Sequence, residues 1–236
     1  AEIKSPFHTN AQVSVSVKTD HLQELLDKEQ FDILHFHEPW VPILSRQILA
    51  RRNAINVATF HAKLPDTVMI KTIEKVITPY TKSILRDLDY LTAVSDAAAS
   101  YVKTLTDDEV SIIPNGVDLS KFVKPAKNSK KTSSILYIGR LEKRKGVKYL
   151  LKAFKAIQTE CPDVELLIAG DGPDASKLKQ FVTTNRINKV RFLGYVTEQK
   201  KLSLMSDASL FFSFSLYGES FGIVLLEAMS MGLPVV

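Results

Sequence analysis

Two kinds of hydrophobic pattern alternate along the whole chain. Short apolar runs rich in Val, Ile, Leu and Phe predict buried strands, and longer stretches with apolar residues at every third or fourth position predict amphipathic helices. The predicted strands are 12–17, 33–36, 55–60, 91–94, 110–113, 134–138, 164–169, 190–193, 209–213 and 234–236. The predicted helices are 20–29, 39–51, 66–86, 96–105, 146–159, 174–185, 197–206 and 222–231. This alternation predicts an α/β fold built on parallel sheets.

A polar stretch near the middle of the chain separates these elements into two sets. Residues 113–118 read Ile-Pro-Asn-Gly-Val-Asp, a turn sequence in which Asn-Gly tolerates positive φ. The lysine-rich residues 121–134 follow, with few apolar positions. We therefore predict two domains, 1–118 and 119–236.

Both termini resemble the interior of a longer protein. Residues 231–236 read Met-Gly-Leu-Pro-Val-Val, which ends a helix with glycine and begins an apolar strand. A parallel core strand usually runs for about five or six residues and continues into another crossover. We therefore expect both domains to be incomplete in this chain.

Charge is distributed unevenly between the two halves. Residues 1–118 carry 12 basic and 16 acidic residues, a net charge of −4, whereas residues 119–236 carry 19 and 10, a net charge of +9. A positive second half suits a polyanionic ligand such as a nucleotide diphosphate. Nucleic acid suits it less well, because the basic residues are not interleaved with aromatic ones. The single cysteine, Cys161, is compatible with a reducing cytoplasm.

Residues 218–229 place two carboxylates around the start of an otherwise apolar helix. Glu219 lies in a glycine-flanked loop, and Glu227 lies within an Ile, Val, Leu and Ala run where an unpaired carboxylate is costly. Ligand hydroxyl groups are good partners for both, and the free amides of a helix start suit a phosphate. These groups together indicate a sugar nucleotide; the alternative is a surface Glu219 and a Glu227 paired with a lysine. The residues at the helix start are Ser220, Phe221, Gly222 and Ile223.

A second candidate segment follows the predicted strand 134–138. Residues 137–146 read Tyr-Ile-Gly-Arg-Leu-Glu-Lys-Arg-Lys-Gly and open a helix, at the edge where parallel sheets bind ligands. Arg140 and Lys145 lie five residues apart across the turn, so that both can reach one anionic group. Lys143 and Arg144 are interpreted as surface charges.

Two further motifs suggest other enzyme classes. Residues 170–175 match the Gly-x-Gly-x-x-Ala pattern of dinucleotide-binding proteins, but no acidic residue follows in the region 190–194 where one would hold the ribose. Residues 218–222 match the Gly-x-Ser-x-Gly pattern of α/β-hydrolases, whose base histidine follows the serine. All five histidines precede Ser220. We therefore disfavour both an oxidoreductase and a hydrolase.

Three histidines are predicted at the ends of neighbouring strands. His35 and His37 lie two residues apart, on one face of a strand, and His61 ends the next strand. Three imidazoles, with Glu38, suit zinc; the competing interpretation is a cleft for an acceptor substrate. Asp87-Leu88-Asp89 is the one Asp-x-Asp triplet, a pattern that elsewhere binds a metal diphosphate.

The amino-acid sequence of these segments resembles that of the retaining glycosyltransferases of family 4, in particular phosphatidylinositol mannosyltransferases. Glu219 and Glu227 have the Glu-x7-Glu spacing of that family, and the sequence of residues 219–229 is similar to the family's motif. The resemblance implies a GT-B fold, with two doubly wound, Rossmann-like domains facing each other across a cleft. It also implies an acceptor site in the first domain and a nucleotide-sugar site in the second.

The resemblance assigns roles to individual residues. Arg140 and Lys145 would hold the diphosphate, Glu219 the transferred sugar and Glu227 the ribose, while His61 would contact the sugar from the first domain. The residues His-x-His-Glu-Pro at 35–39 would line the acceptor side, which we prefer to zinc. Asp87–Asp89 would be structural, and Gly170 and Arg191 would lie near the nucleotide and its base.

We therefore expect a retaining, metal-independent hexosyltransferase. Its donor is expected to be GDP-mannose and its acceptor a lipid, a lipid-linked glycan or another glycan, and no nucleic-acid partner is expected. The alternatives are a UDP-sugar-dependent relative and a sugar-nucleotide-binding fragment without activity. The protein is expected in the cytoplasm. The predicted helix 66–86 is amphipathic and basic, which suggests peripheral contact with the inner face of the membrane. The alternative is that the apolar stripe of this helix packs against the protein core.

Overall fold

The computed structural model describes residues 2–4, 10–12, 19–40, 44–50, 54–62, 78–122 and 133–236. The chain divides into two compact units, Ala1–Pro114 and Asn115–Val236. This division falls four residues before the boundary proposed from the sequence. Neither Asn115 nor Gly116 has a positive φ, so the tolerance of the Asn-Gly pair for that conformation is not used at the junction.

The first unit contains a four-stranded parallel sheet. Its strands are β3 (Ile33–His37), β4 (Ile55–Phe60), β5 (Tyr90–Ala93) and β6 (Val110–Ile112), and they pair in chain order. The described helices are α1 (Thr19–Glu29), α2 (Leu44–Leu49), α3 (78–85) and α4 (Asp96–Val102). A short antiparallel pair, β1 (Glu2–Lys4) and β2 (Asn10–Gln12), precedes them.

Three predicted elements of the first unit differ from the observed ones or lie partly outside the described residues. The predicted strand 12–17 lies outside them except for Gln12, which ends the antiparallel strand β2. Of the predicted helix 39–51, residues 41–43 and 51 lie outside the described residues, and the described helix is Leu44–Leu49. The chain turns directly after β3, where the Trp40 N–H donates to the Glu38 carbonyl at 2.7 Å. Of the predicted helix 66–86, residues 66–77 lie outside the described part of the chain.

The second unit is a parallel sheet with helices on both faces. Its elements are β7 (Ser134–Ile138), α5 (Val147–Ile157), β8 (Glu165–Ala169), α6 (Ala175–Thr184), β9 (Val190–Gly194), α7 (Glu198–Asp207), β10 (Leu210–Phe211) and α8 (Ile223–Ser230). The strand order is β10-β7-β8-β9, and a parallel bridge from Phe211 to Val235 places the predicted last strand beside β10. The order therefore reverses between β7 and β10, and open α/β sheets bind ligands at such a point.

Side-chain alternation along the central strands builds the two cores of the second unit. On β7, Leu136 faces one core and Tyr137 faces the other, because successive residues of a strand point to opposite faces. One core contains residues of α5 and α6, and the other contains residues of α7 and α8. This three-layer arrangement confirms the predicted α/β class with two parallel sheets. Within the described residues, no helix has the length and apolar character that a membrane crossing requires.

Candidate functional site

Three loops meet at the carboxyl edge of the second sheet. The loops after β7 and β8 are joined by main-chain hydrogen bonds: the Gly139 N–H donates to Ala169, and the Leu141 N–H donates to Asp171 at 2.9 Å. Gly170 has φ +130°, and a Cβ there would lie 2.0 Å from the Gly139 carbonyl oxygen. The glycine of the apparent dinucleotide motif is therefore required by packing between these two loops, which gives the motif an explanation without NAD.

Lys145 and Glu219 bind each other, which joins the loop after β7 to the loop before α8. The Lys145 ammonium donates to Glu219 Oε2, and the Ser215 hydroxyl donates to the same oxygen at 2.9 Å. Burial opposes ionisation of Glu219, but the hydrogen bond and charge of Lys145, with Ser215 and Arg144, hold the pKa of this carboxyl below its ordinary value. Glu219 is therefore an anion in contact with a cation at neutral pH.

Arg144, which the sequence analysis interpreted as a surface charge, is instead a structural part of this cluster. Its side chain is 25% exposed and its Nη2 lies 3.0 Å from Glu142 Oε1. The same guanidinium donates through Nη1 to the Gly218 carbonyl at 3.1 Å, and the Arg144 carbonyl accepts from the Leu216 N–H at 2.8 Å. Arg144 thus holds the loop that carries Glu219. Its partner in that loop is 74 residues away in the chain, so no local pattern indicates the contact.

Glu142 lies at the centre of the cluster and is almost fully buried. Arg140 approaches it from the other side, with Nε 3.7 Å from Glu142 Oε2, and keeps 41% of its own side chain exposed. The Tyr137 hydroxyl donates to the Arg140 carbonyl at 3.2 Å. Burial, and after it the charge of Glu142, raises the pKa of Tyr137, which keeps this hydroxyl a donor. Arg140 therefore has a fixed backbone and an accessible guanidinium.

The start of α8 has no side-chain cap. The helix begins at Ile223 after Gly222, which has φ +78° and no side chain to accept from the first-turn N–H groups. Phe221 is partly buried, and the Ile223 side chain is 45% exposed. Ser220 lies in a bend well after the end of β10, so residues 218–222 do not form the sharp strand-to-helix turn of a hydrolase.

Glu227 is paired with Lys201, a lysine that the sequence analysis did not name. Its Oε1 accepts from Lys201 of α7 at 2.8 Å, and the two side chains are only 15% and 11% exposed. Lys201 also pairs with the exposed Glu198 at 2.8 Å. Burial alone would lower the pKa of Lys201, but its hydrogen bonds to both carboxylates raise it above the ordinary value. The sequence analysis gave a pairing of Glu227 with a lysine as the alternative to ligand binding. The contact with Lys201 uses Oε1, so the second carboxylate oxygen, Oε2, is the candidate atom for a ligand.

Arg191 forms its ion pair outside the cluster of Arg140, Glu142, Arg144, Lys145 and Glu219. Its side chain is 63% exposed and pairs with Glu165 of the neighbouring strand β8 at 3.8 Å. The nearby connection to the loop after β8 is made by main chain, where the Gly170 N–H donates to the Gly194 carbonyl at 2.7 Å. A role of Arg191 beside a base stays a prediction.

The three predicted histidines of the first unit lie together. His37 Nδ1 is 2.8 Å from His61 Nε2, and the rings of His35 and His37 are 4.5 Å apart between centroids. His35 Nε2 bonds to the Thr59 hydroxyl at 2.7 Å. Burial, and then the charges of His37 and His61, lowers the pKa of His35. Among the described residues, no group of three or more His, Cys, Asp or Glu side chains is arranged to hold a metal ion.

The Asp-x-Asp triplet is engaged with the main chain at the opposite edge of the first sheet. Asp89 Oδ2 accepts from the Asn56 N–H at 2.8 Å, and the Asp87 carbonyl accepts from the Asn56 amide at 3.1 Å. These contacts fix the start of β4 against the start of β5. Ser95, after β5, caps α4 by accepting from the Ala98 N–H at 3.1 Å.

Comparisons with known proteins cover both halves of the chain. Residues 6–121 match the model of Glycosyltransferase Family 4, and residues 120–236 match the model of Glycosyl transferases group 1. The chain is 36% identical over 210 residues to phosphatidyl-myo-inositol mannosyltransferase of Mycolicibacterium smegmatis, covering 87% of this chain and 53% of that protein. It is 29% identical to N-acetyl-alpha-D-glucosaminyl L-malate synthase of Bacillus anthracis, covering 91% of this chain and 58% of that protein.

Solved structures are similar to the chain in their fold. The Anabaena HepE structure in complex with UDP and glucose superposes with a TM-score of 0.72 at 19% identity, covering 91% of this chain and 61% of that one. The chain spans about half the length of the curated relatives it matches, 53% for the mycobacterial enzyme. Because the two family models together match residues 6–236, the chain belongs to the glycosyltransferases of family 4 with the GT-B fold.

Proposed function

We propose that the protein transfers mannose from a nucleotide diphosphate sugar to a lipid acceptor that carries an inositol phosphate head group. The observation that carries this proposal is the contact between Lys145 and Glu219, with Arg140 nearby, at the edge where the strand order reverses. One place thereby offers cations for a diphosphate and a carboxylate for sugar hydroxyls. The name of the relative at 36% identity supports the choice of sugar and acceptor.

The proposed donor site uses four charged side chains: Arg140, Lys145, Glu219 and Glu227. Arg140 and Lys145 bind the diphosphate, and the N–H groups at the start of α8 add a further anion site. Glu219 orients the transferred sugar through its hydroxyls, while Glu227 binds the ribose hydroxyls. The main chain at Gly170 lies near the nucleotide. Arg191 remains the candidate beside the base.

The proposed transfer retains the configuration of the sugar. The bond from the anomeric carbon to the diphosphate breaks, and the acceptor hydroxyl forms its new bond on the same face. The departing phosphate oxygen takes the proton of that hydroxyl, so the reaction needs no protein nucleophile. His61 is proposed to contact the transferred sugar. Arg140, Lys145 and the helix start stabilise the negative charge that builds on the leaving diphosphate.

We further propose that the reaction needs no divalent metal, because two side-chain cations and a helix start already supply positive charge to the diphosphate. Transfer rates measured with and without EDTA test this statement. The proposal predicts equal rates in both conditions. A loss of transfer in EDTA that Mg²⁺ or Mn²⁺ restores would contradict it.

A transfer assay tests the proposed reaction. The chain is incubated with GDP-[¹⁴C]mannose and vesicles that contain phosphatidylinositol, and labelled lipid is extracted and counted. We expect an α-linked mannolipid from the wild type and a loss on the order of 10²-fold in rate for Glu219→Gln, because the transferred sugar loses the carboxylate that orients it. Wild-type rates in the Glu219→Gln variant would refute the assigned site. Donor binding without transfer would favour a binding fragment without activity.

A UDP-sugar is the second candidate donor. Two relatives are named for N-acetylglucosaminyl transfer or synthesis: the malate synthase of Bacillus anthracis and, at 32% identity, the GPI3 subunit of Saccharomyces cerevisiae. The Anabaena structure contains UDP. The same assay with UDP-glucose and UDP-N-acetylglucosamine separates the donors, since the mannose proposal predicts transfer from GDP-mannose alone.

Peripheral binding to the cytoplasmic face of a membrane is also a proposal. Most of the predicted basic helix 66–86, namely residues 66–77, lies outside the described part of the chain. Of its apolar stripe, Ile84 is fully buried and Tyr80 is partly buried, so this end of the stripe contributes to the core. Flotation with vesicles that contain anionic lipid tests the proposal: we expect co-flotation at low salt that is lost at high salt, and no co-flotation at low salt would refute it.

A further inference from the structure

The carboxylate of Glu38 binds main-chain groups of the neighbouring strand end. Its Oε1 accepts from the N–H of His61 at 2.5 Å and from the N–H of Ala62 at 2.6 Å. These two N–H groups follow the last residue of β4, where the sheet no longer supplies partners. A single carboxylate oxygen therefore fixes the main chain at the residue to which the proposed function assigns the transferred sugar.

The backbone of Glu38 is held in an uncommon conformation that makes this contact. Glu38 has φ +49°, a left-handed value that is unfavourable for a residue with a side chain. Its own N–H donates to the Thr59 carbonyl at 3.1 Å, and its carbonyl accepts from the Trp40 N–H at 2.7 Å. Strain of this kind persists where surrounding contacts over-determine it. The hydrogen bonds on both sides of Glu38 supply that determination.

The ring of His61 is held by the residue that precedes Glu38. His37 Nδ1 lies 2.8 Å from His61 Nε2, so one imidazole donates to the other and sets its tautomer. The rings lie 5.0 Å apart between centroids with an interplanar angle of 33°. The consecutive residues His37 and Glu38 therefore contact the ring and the main chain of His61, respectively.

We propose that His37 and Glu38 are positioning residues of His61: Glu38 fixes its main chain and His37 fixes its ring. The kinetic consequence rests on the proposed role of His61 in sugar transfer, whereas the structural consequence does not. Misplacement of a reacting group by about 1 Å costs on the order of 10²-fold in rate, so a loss of this size is expected when either contact is removed.

The geometry supplies matched variants. Both hydrogen bonds reach the same oxygen of Glu38, and the amide oxygen of Gln can accept both, so Glu38→Gln preserves the contacts while Glu38→Ala removes them. His37 uses Nδ1, whose place the amide of Asn can occupy, so His37→Asn is conservative and His37→Leu is not. Glu109→Ala, an exposed acid of the same unit, is the control for general effects of removing a carboxylate.

Amide hydrogen exchange gives a readout that does not need activity. We expect the amides of His61 and Ala62 to exchange at least about tenfold faster in Glu38→Ala, since each loses its acceptor, and at wild-type rates in Glu38→Gln and Glu109→Ala. If Glu38→Ala does not fold, Glu38→Asp replaces it, because its shorter side chain keeps the charge but not the reach. Unchanged exchange in the folded variant would overturn the role of Glu38.

A double-mutant cycle gives the kinetic readout. Glu38→Ala and His37→Leu are each expected to lower kcat by about 10- to 100-fold with unchanged KM for the donor, whereas Glu38→Gln and His37→Asn restore most of it. In a His61→Ala background neither substitution should lower kcat further. Full additivity with His61→Ala would overturn the proposal. Absence of transfer by the wild type would count against the proposed function instead, and the exchange rates would still decide the positioning role of Glu38.

Discussion

At the scale of single residues, both carboxylates of the family motif have a lysine partner, but the two pairs differ in exposure. Glu219 and Lys145 are 36% and 19% exposed, so a ligand can reach them. Glu227 and Lys201 are 15% and 11% exposed. The first pair is therefore suited to exchange partners with a bound diphosphate and sugar. The second pair also contributes to the packing of α7 against α8.

Two neighbouring lysines allow a matched test of the first pair. Lys145→Met removes the cation that contacts Glu219, and we expect transfer to fall by about 10²–10³ because charge on the leaving group loses a stabilising partner. Lys143 lies in the same turn, and within the described residues no ion pair to it is seen. Lys143→Met is expected to keep the wild-type kcat. Equal losses in the two variants, measured by initial rates, would contradict the assignment.

The lowered pKa of Glu219 predicts a pH dependence of stability. A carboxyl whose pKa is lowered on folding contributes stability that is present above its unfolded value, near 4.5, and that is lost as pH falls through the folded value. Lys145→Met removes most of this contribution. The urea midpoints of wild type and Lys145→Met should therefore differ at pH 7 and converge below pH 4.5. A constant difference across this range would show that Glu219 does not cause it.

At the scale of elements, the buried pair Lys201–Glu227 joins α7 to α8. Lys201→Met leaves the carboxylate of Glu227 without this partner, and removal of one member of a buried pair costs roughly 3–5 kcal/mol. Glu198→Gln removes the 82% exposed partner of the same lysine and should cost less than about 1 kcal/mol. Urea denaturation compares the two variants. Equal free energies of unfolding would mean that the Glu227 contact contributes nothing.

The loops of the second unit depend on glycine for two separable reasons. Gly170 combines φ +130° with a backbone atom 2.0 Å from the position of a Cβ, whereas Gly194 has φ +67° and nothing within 4 Å. Gly116 has neither restriction. Gly194→Ala should cost roughly 1–2 kcal/mol through strain alone, and Gly170→Ala distinctly more.

Gly116→Ala is the control for these glycine substitutions and should leave the free energy of unfolding within about 0.5 kcal/mol of wild type. Thermal and urea denaturation of the three variants establish the order. If Gly170→Ala were no more destabilised than Gly194→Ala, the close contact between the loops after β7 and β8 would not exist in solution.

Sequence patterns predict the elements of the second unit better than their contacts. The bounds of α5, α6, α7 and α8 agree with the predictions within two residues at each end, because each helix buries an apolar stripe against a sheet face. The strand predicted at 209–213 is shorter, with β10 covering only Leu210–Phe211, although the Phe212 N–H still donates to Leu136. The periodicity of apolar residues identifies the buried faces of helices and strands, but it does not show where the hydrogen-bonded pairing of two strands ends.

The candidate site was predicted only in part, because sequence patterns identify short motifs but not contacts between distant residues. Arg140, Lys145 and Glu219 belong to short motifs, and the fold brings these motifs together. Arg144 and Lys201 were missed, because their partners lie 74 and 26 residues away and no spacing in the chain indicates such contacts. The contact of Glu38 with the N–H groups of His61 and Ala62 was missed as well, because these residues follow a different strand, β4.

At the scale of the whole molecule, charge and topology favour the same place for the donor. The second half of the chain carries a net charge of +9, and its strand order reverses beside the loops that hold Arg140, Lys145 and Glu219. A cationic field favours the approach of a nucleotide diphosphate to that edge. The histidine cluster lies in the first unit, where hydrogen bonds join it within that unit's own sheet.

Thermal unfolding with a panel of nucleotides tests the central claim most directly. The panel comprises GDP-mannose, UDP-glucose, UDP-galactose, ADP-glucose and NAD⁺, each added to wild type, Glu227→Gln and the control Glu198→Gln. We predict that GDP-mannose stabilises wild type and Glu198→Gln, by about 2.7 kcal/mol at 100 times its Kd, and that Glu227→Gln loses most of this effect. Stabilisation by NAD⁺ without any by a nucleotide sugar, or equal stabilisation of Glu227→Gln by GDP-mannose, would contradict the account.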